Sequence, residues 1–185
     1  MANRGILQLA ILLLLSAGVS SKDYVWLRSH QRRTNQRSLT LLTEMIGKIP
    51  LECDKDRMDF QIPWEIIQPK QCQKENATVV IHEMLQQIFL IFNSKNAMPG
   101  VNKTIIKTFL NGIYQQMVRL EMAFEEEMEQ TLGSRESILQ LKKYYQEIRN
   151  YLKNKEYSPC AWKVVHVETR KNFIFLSKLT KFLKN

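Results

Sequence analysis

The stretch Tyr157-Ser158-Pro159-Cys160-Ala161-Trp162-Lys163-Val164-Val165 decides the fold that we predict for this chain. Ser158 offers a hydroxyl that can accept hydrogen bonds from the first backbone N–H groups of a helix, and Pro159 suits the first helical position because no donor is needed there. One side of the segment then carries residues at intervals of three or four positions, all of them apolar except Thr169: Trp162, Val165, Thr169, Phe173, Leu176, Leu179 and Leu183. This spacing predicts a helix from Pro159 towards the end of the chain.

Four further apolar stripes with helical spacing precede this segment. They predict helices over 24–46 and 134–154 and around 81–92 and 106–124. The chain has 185 residues, which suits one well-filled core, and its 6 glycines and 5 prolines are too few for a turn-rich β architecture. The sequence therefore predicts a single all-α domain of five helices.

About 25 residues between the first two predicted helices show no sustained helical period. They include Pro50, Pro63 and Pro69. A connection of this length is unusual inside a compact domain unless it crosses the side or end of the bundle. Long crossings let consecutive helices run parallel, as in the up-up-down-down bundles of growth hormones and cytokines. We therefore predict an up-up-down-down helical cytokine bundle with a long crossover between its first two helices.

The first 21 residues have the pattern of a cleaved secretory signal. Arg4 precedes an apolar run from Ile6 to Leu15, and small residues follow it up to Ser21. The run is shorter than the roughly 20 apolar residues that a membrane-spanning helix needs. We expect residues 1–21 to be removed, residues 22–185 to form one secreted domain, and no stable membrane insertion.

Three cysteines in an oxidising compartment allow one disulfide and one free thiol. A Cys53–Cys160 bridge would tie the crossover to the start of the last helix, whereas a Cys53–Cys72 bridge would close the crossover on itself. We favour the longer bridge, although the sequence leaves both pairings open. Asn76 and Asn102 each begin an Asn-X-Thr sequon, and they are candidate N-glycosylation sites in an exported protein.

Three separated motifs resemble the type I interferon family, and within it the beta type. They are Cys-Asp-Lys-Asp-Arg-Met-Asp-Phe-Gln-Ile-Pro over 53–63, His-Glu-Met-Leu-Gln-Gln-Ile-Phe over 82–89, and the stretch quoted above over 157–165. The resemblance implies a cytokine that binds both chains of the interferon alpha/beta receptor and triggers Janus kinase/STAT signalling for antiviral, antiproliferative and immunomodulatory responses. It also implies that Cys53 pairs with Cys160.

The resemblance further implies two receptor-binding surfaces. The high-affinity receptor chain is expected at the crossover and the last helix, through Arg57, His166, Arg170 and Lys171. The second chain is expected at the three middle helices, through Glu83, Gln86, Leu90, Ile105, Tyr114 and Lys142. Among these, we expect the polar side chains to lie at the surface, because burial would leave them without partners. The chain departs from the family where Asp54 replaces a typical leucine, and where His166 and Lys171 replace arginines.

The charge of the chain supports an alternative function. With 27 basic and 18 acidic residues, the net charge is +9, which suits an anionic partner. The alternative is a basic secreted helical protein that acts mainly through glycosaminoglycan or membrane-surface binding. His82-Glu83 begins a zinc-protease pattern, but Gln86 stands where the second histidine would be needed. We therefore expect a monomer with no enzymatic activity, no cofactor or metal, and no nucleic-acid partner.

Overall fold

The computed structural model describes residues 21–47, 50–63, 74–94, 98, 100–130 and 135–183. These ranges contain five α-helices and no strand: α1 Ser21–Ile46, α2 Lys74–Phe92, α3 Lys103–Gln130, α4 Arg135–Asn154 and α5 Pro159–Leu179. Short 3₁₀ helices span Leu51–Asp56 in the crossover and Thr180–Phe182 after α5. The predicted all-α bundle of five helices is confirmed. The predicted signal peptide lies almost wholly outside the described residues and stays a prediction.

Contacts along α1 fix its direction relative to two neighbours. Lys163 at the start of α5 donates to the carbonyl of Ile46 at the end of α1, with an Nζ–O distance of 2.9 Å. At the other end of α5, Asn35 donates to the hydroxyl of Thr180, so α1 and α5 are antiparallel. On another side of α1, Gly112 of α3 lies against Thr34 of α1. Arg119, which comes later in α3, contacts His30, which comes earlier in α1. α1 and α3 are therefore antiparallel as well.

The remaining contacts complete the topology. Phe92 at the end of α2 packs on Phe109 near the start of α3, and the earlier His82 of α2 contacts the later Glu121 of α3. α2 is therefore antiparallel to α3 and parallel to α1, whereas α3 and α5 run the opposite way. This is the predicted up-up-down-down arrangement. α4 is an additional helix beside α2.

The core is one continuous apolar cluster that involves all five helices and the crossover. Aromatic rings connect its centre: Phe92 of α2 makes edge contacts with Phe109 of α3 and Trp162 of α5, and Phe109 also packs on Phe173. α5 contacts α1, α2, α4 and the crossover. Its start follows the prediction, since the hydroxyl of Ser158 accepts from the Ala161 N–H at 3.3 Å and Pro159 occupies the first turn.

Four kinds of contact hold the described part of the crossover against the bundle. A disulfide joins Cys53 to Cys160 at the start of α5. Tyr151 of α4 donates to the carbonyl of Asp56 at 2.6 Å, and Lys155 forms an ion pair with the Asp56 carboxylate at 2.8 Å. Phe60 packs edge-on against the Tyr151 ring. The crossover from residue 50 to residue 63 is therefore attached to α4 and α5, and Cys72 lies outside the described residues.

Candidate binding surfaces

A groove of about 660 Å³ lies between the crossover and α5. We call it the crossover groove, and it is lined by Leu51, Cys53, Asp54, Arg57, Met58, Asp59, Lys163, Val164, Val167, Glu168 and Lys171. Its apolar members include two exposed side chains of the crossover, Leu51 and Met58. Charged groups surround them on both sides. The groove thus combines apolar surface, which favours association, with charges that can select a partner.

Arg57 and Lys171 line the crossover groove, as the predicted surface for the first receptor chain requires. The Arg57 side chain is 81% exposed, and its Nε lies 3.2 Å from a carboxylate oxygen of Asp54. Lys171 is half-exposed and pairs at 2.9 Å with Glu168, which is buried and also accepts a hydrogen bond from Tyr144. Arg170 is exposed on α5 but does not line the groove. The structure therefore brings two of the four predicted residues to this groove.

His166 cannot contact a receptor chain in this structure, so its prediction as a contact residue is wrong. Its ring is only 2% exposed and packs edge-on against Phe92 of α2. Nδ1 donates to the carbonyl of Trp162 at 2.6 Å. Burial lowers the pKa of His166 to about 4, and the nearby Lys163 ammonium contributes to this change. The ring is therefore a neutral member of the core at physiological pH.

The predicted surface for the second receptor chain contains a groove of about 460 Å³ between α2 and α3. We call it the α2–α3 groove, and it is lined by Phe89, Phe92, Asn93, Ser94, Lys103, Ile106, Lys107, Leu110, Asn111 and Tyr114. Tyr114 is 55% exposed, and the nearby Leu90 of α2 is 52% exposed. Gln86 is exposed one helical turn before Leu90, whereas Ile105 is half-buried. Tyr114 is the one predicted residue that lines this groove itself.

Glu83 is buried, although we expected the polar residues of this surface to be exposed. It is 7% exposed and lies between α2 and α4, where Gln87 donates to one carboxylate oxygen at 2.8 Å. Lys142 of α4 lies 3.9 Å from the other oxygen, and Arg149 of α4 donates to Gln87. These partners compensate the carboxylate for its loss of water. Lys142 remains half-exposed and can still face a partner.

The two sequons occupy helix starts. Asn102 is exposed just before α3, and its Oδ1 accepts from the Thr104 N–H at 2.8 Å, which caps the helix. Because a glycan would be attached to Nδ2, this cap is compatible with glycosylation. Asn76 lies in the first turn of α2.

The apolar part of the crossover groove was not predicted from the sequence. Leu51 is 88% exposed and Met58 is 49% exposed, and both come from a segment in which only the charged Arg57 was predicted as a contact residue. Large apolar side chains on both sides of Arg57 were the signal that could have indicated this surface. Val164 and Val167 were harder to identify, because valines on a helix usually belong to the core.

Two features are absent from the described ranges of the chain. No helix in these ranges is both long and apolar enough to cross a membrane. In the same ranges, no three His, Cys, Asp or Glu side chains are grouped so that they could hold a metal ion.

The comparisons with known proteins agree with this architecture. Residues 27–183 match a family model described as an interferon alpha/beta domain. Interferon beta of Homo sapiens is 44% identical over 188 residues, and that of Equus caballus is 46% identical over 188 residues; both alignments cover 100% of each chain. Interferon beta of Tachyglossus aculeatus aculeatus is 41% identical over 186 residues, again with full coverage.

Solved structures support the fold. Zebrafish interferon 2 superposes with a TM-score of 0.67 at 23% identity, covering 77% of this chain and 94% of its own. Zebrafish interferon 1 gives the same TM-score at 17% identity, covering 83% and 96%. The fold and its exposed grooves define a helical cytokine. The chain belongs to the type I interferon family, and its predicted similarity to the beta type is confirmed. This is a family of cytokines and not of enzymes.

Proposed function

We propose that this protein is a secreted type I interferon that binds both chains of the interferon alpha/beta receptor at once. Joining the two chains would activate Janus kinase/STAT signalling and thereby antiviral, antiproliferative and immunomodulatory responses. One observation carries the proposal: the molecule has two separate grooves with apolar and charged linings, one at the crossover and one between α2 and α3. Family membership supplies the kind of partner.

The position of α5 supports binding of two partners at the same time. Lys163, Val164 and Val167 of α5 line the crossover groove, whereas Trp162 and His166 of the same helix pack on Phe92 of α2. The crossover groove and α2 therefore lie on different sides of α5. A partner in one groove would leave the other groove open.

Secretion and glycosylation belong to the same proposal. We infer that residues 1–21 are removed on export and that Asn76 and Asn102 carry N-linked glycans. The exposed position of Asn102 at the start of α3 supports this for one sequon. The Cys53–Cys160 bridge suits an oxidising compartment. Mass spectrometry of protein from a mammalian culture medium would test the mature N-terminus and both sequons.

Immobilised receptor ectodomains test the assignment of the two surfaces. Arg57→Ala should weaken binding to the high-affinity chain, because it removes an exposed guanidinium that can pair with a carboxylate. Lys142→Ala should mainly weaken binding to the second chain. Arg37→Ala removes an exposed positive charge on α1, outside both grooves, and serves as the matched control. If Arg57→Ala and Lys142→Ala show the opposite effects, the surface assignment is wrong.

Simultaneous binding and signalling need two further measurements. Adding the second ectodomain to a preformed complex with the first should produce a ternary complex, which light scattering can detect. A reporter of STAT-dependent transcription should respond in cells with the receptor and stay silent in cells that lack it. An equal response in both cell lines would overturn the proposed function.

One observation favours glycosaminoglycan binding as a second candidate function. α1 and α5 are neighbours. Their outer faces and the 3₁₀ helix after α5 carry six exposed basic residues: Arg32, Arg33, Arg37, Arg170, Lys178 and Lys181. Among the described residues, none of these six takes part in an ion pair. Attachment through these charges should be lost by about 0.5 M salt, whereas a receptor complex with apolar contacts should persist. A heparin column eluted with a salt gradient would test this candidate.

A further inference from the structure

The exposed ion pair between Arg57 and Asp54 has a consequence for binding at the crossover groove. Arg57 follows the last turn of the 3₁₀ helix Leu51–Asp56, and its backbone N–H donates to the carbonyl of Asp54 at 3.2 Å. The same turn brings the two side chains together, with Arg57 Nε 3.2 Å from Asp54 Oδ1. The pair is therefore formed within four residues of chain and needs no partner to assemble it.

Asp54 occupies the guanidinium edge that a partner would use. Guanidinium binds carboxylates best through two parallel N–H donors, and one such pair consists of Nε and a neighbouring terminal nitrogen. A carboxylate of Asp54 at Nε blocks that pair, so an incoming carboxylate must displace Asp54 or use the two terminal nitrogens alone. Asp54 itself lines the groove and would repel the incoming negative charge.

We propose that Asp54 limits the affinity of the crossover groove by competing with the carboxylate of the partner for Arg57. This inference rests on the proposed function, in which Arg57 recognises an acidic group of the high-affinity receptor chain. It adds that the isolated protein already holds an intramolecular substitute for that group. Removing the substitute without changing its shape should therefore strengthen receptor binding.

The chain offers a matched control for this test. Asp59 also lines the groove and is exposed, but its carboxylate accepts a hydrogen bond from the Gln61 amide at 3.1 Å and forms no ion pair with Arg57. Asp54→Asn and Asp59→Asn each remove one negative charge from the same groove. Any general electrostatic gain should therefore appear in both variants, and a competition for Arg57 should appear only in the first.

The experiment measures Kd for the immobilised high-affinity ectodomain with four proteins besides the parent: D54N, D59N, R57Q and the double variant D54N/R57Q. Exposed ion pairs of this kind are weak, so we expect D54N to tighten binding about two- to fivefold. D59N should give a smaller gain, R57Q should weaken binding, and D54N should have little effect in the R57Q background. Thermal unfolding should be nearly unchanged in D54N, because both side chains of the pair are exposed.

The outcomes separate the inference from the proposed function. If R57Q weakens binding but D54N tightens binding no more than D59N does, Asp54 does not compete for Arg57 and the inference alone is overturned. The same conclusion follows if the gain in D54N persists in the R57Q background. If R57Q leaves the binding of both ectodomains unchanged, the assignment of the crossover groove fails, and the inference fails with it.

Discussion

Replacing His166 by phenylalanine should make the protein more resistant to acid. The ring is buried among Phe92, Trp162 and the backbone of α5, and burial lowers its pKa from 6.5 to about 4. Because the unfolded chain binds a proton at a higher pH than the folded one, stability is fully present above the unfolded pKa and falls as the pH drops from 6.5 towards 4. A phenylalanine ring can keep the aromatic contacts and has no proton to bind.

The size of the effect follows from the two pKa values. Linkage gives a loss of about 1.4 kcal/mol at about pH 5.5 and about 2.5 kcal/mol at about pH 4.5 for the parent protein, relative to neutral pH. Carboxylates also titrate in this range, but they are common to both proteins. The difference in the free energy of unfolding between His166→Phe and the parent should therefore isolate the contribution of this ring.

Urea unfolding followed by circular dichroism measures this difference. At about pH 7.5, we expect the two proteins to differ by no more than about 1 kcal/mol, since the substitution preserves ring packing. The free energy of unfolding of the variant, relative to that of the parent, should increase steadily as the pH falls to about 4.5. His30→Gln should show a smaller change, because the His30 ring is part-buried. A gap between His166→Phe and the parent that stays constant from pH 7.5 to pH 4.5 would refute the reasoning.

Four further substitutions test other parts of the fold. Cys160→Ser opens a bridge between residues 107 positions apart and should lower Tm by about 10–20 °C in a thermal melt, whereas Cys72→Ser should leave Tm unchanged. Glu156→Gly should raise the free energy of unfolding by about 0.5–1 kcal/mol, because Glu156 has a φ of 52°, a left-handed conformation that glycine adopts at less cost. An unchanged urea midpoint would contradict this prediction. Gln116→Leu should lower the free energy of unfolding by about 2–3 kcal/mol, because the buried side-chain oxygen of Asn35 then loses its hydrogen-bond donor. A calorimetric measurement that shows no loss of stability would contradict this prediction.

The helices were predictable because their signals are local. The hydroxyl of Ser158 and the ring of Pro159 act within one turn, so the start of α5 was placed correctly. The first helix begins at Ser21, three residues before the predicted position, and the fourth begins at Arg135, one residue after it. Apolar spacing indicates which face is buried, but it does not mark where the first turn closes.

The binding surfaces were less predictable because exposure depends on distant neighbours. His166 precedes the exposed Arg170 by four positions and so lies on the same side of α5 by spacing, and only the approach of Phe92 from α2 shows that it is buried. Glu83 is buried for a similar reason, since its partner Lys142 comes from α4. A helical period fixes the direction of a side chain from its own axis. It cannot specify how much of the circumference other elements cover.

A cluster of buried amides joins α1 to α3. Gln116 of α3 donates to the side-chain oxygens of Gln31 and Asn35, and Gln31 donates back to the Gln116 carbonyl. Apolar contacts tolerate a shift of one helix along another, but these directional bonds do not: a slip by one turn, about 5.4 Å, would leave amide groups without partners. The cluster thus selects a single axial alignment of α1 against α3. In the proposed complex, the separation between the two receptor chains would then be constant from one molecule to the next.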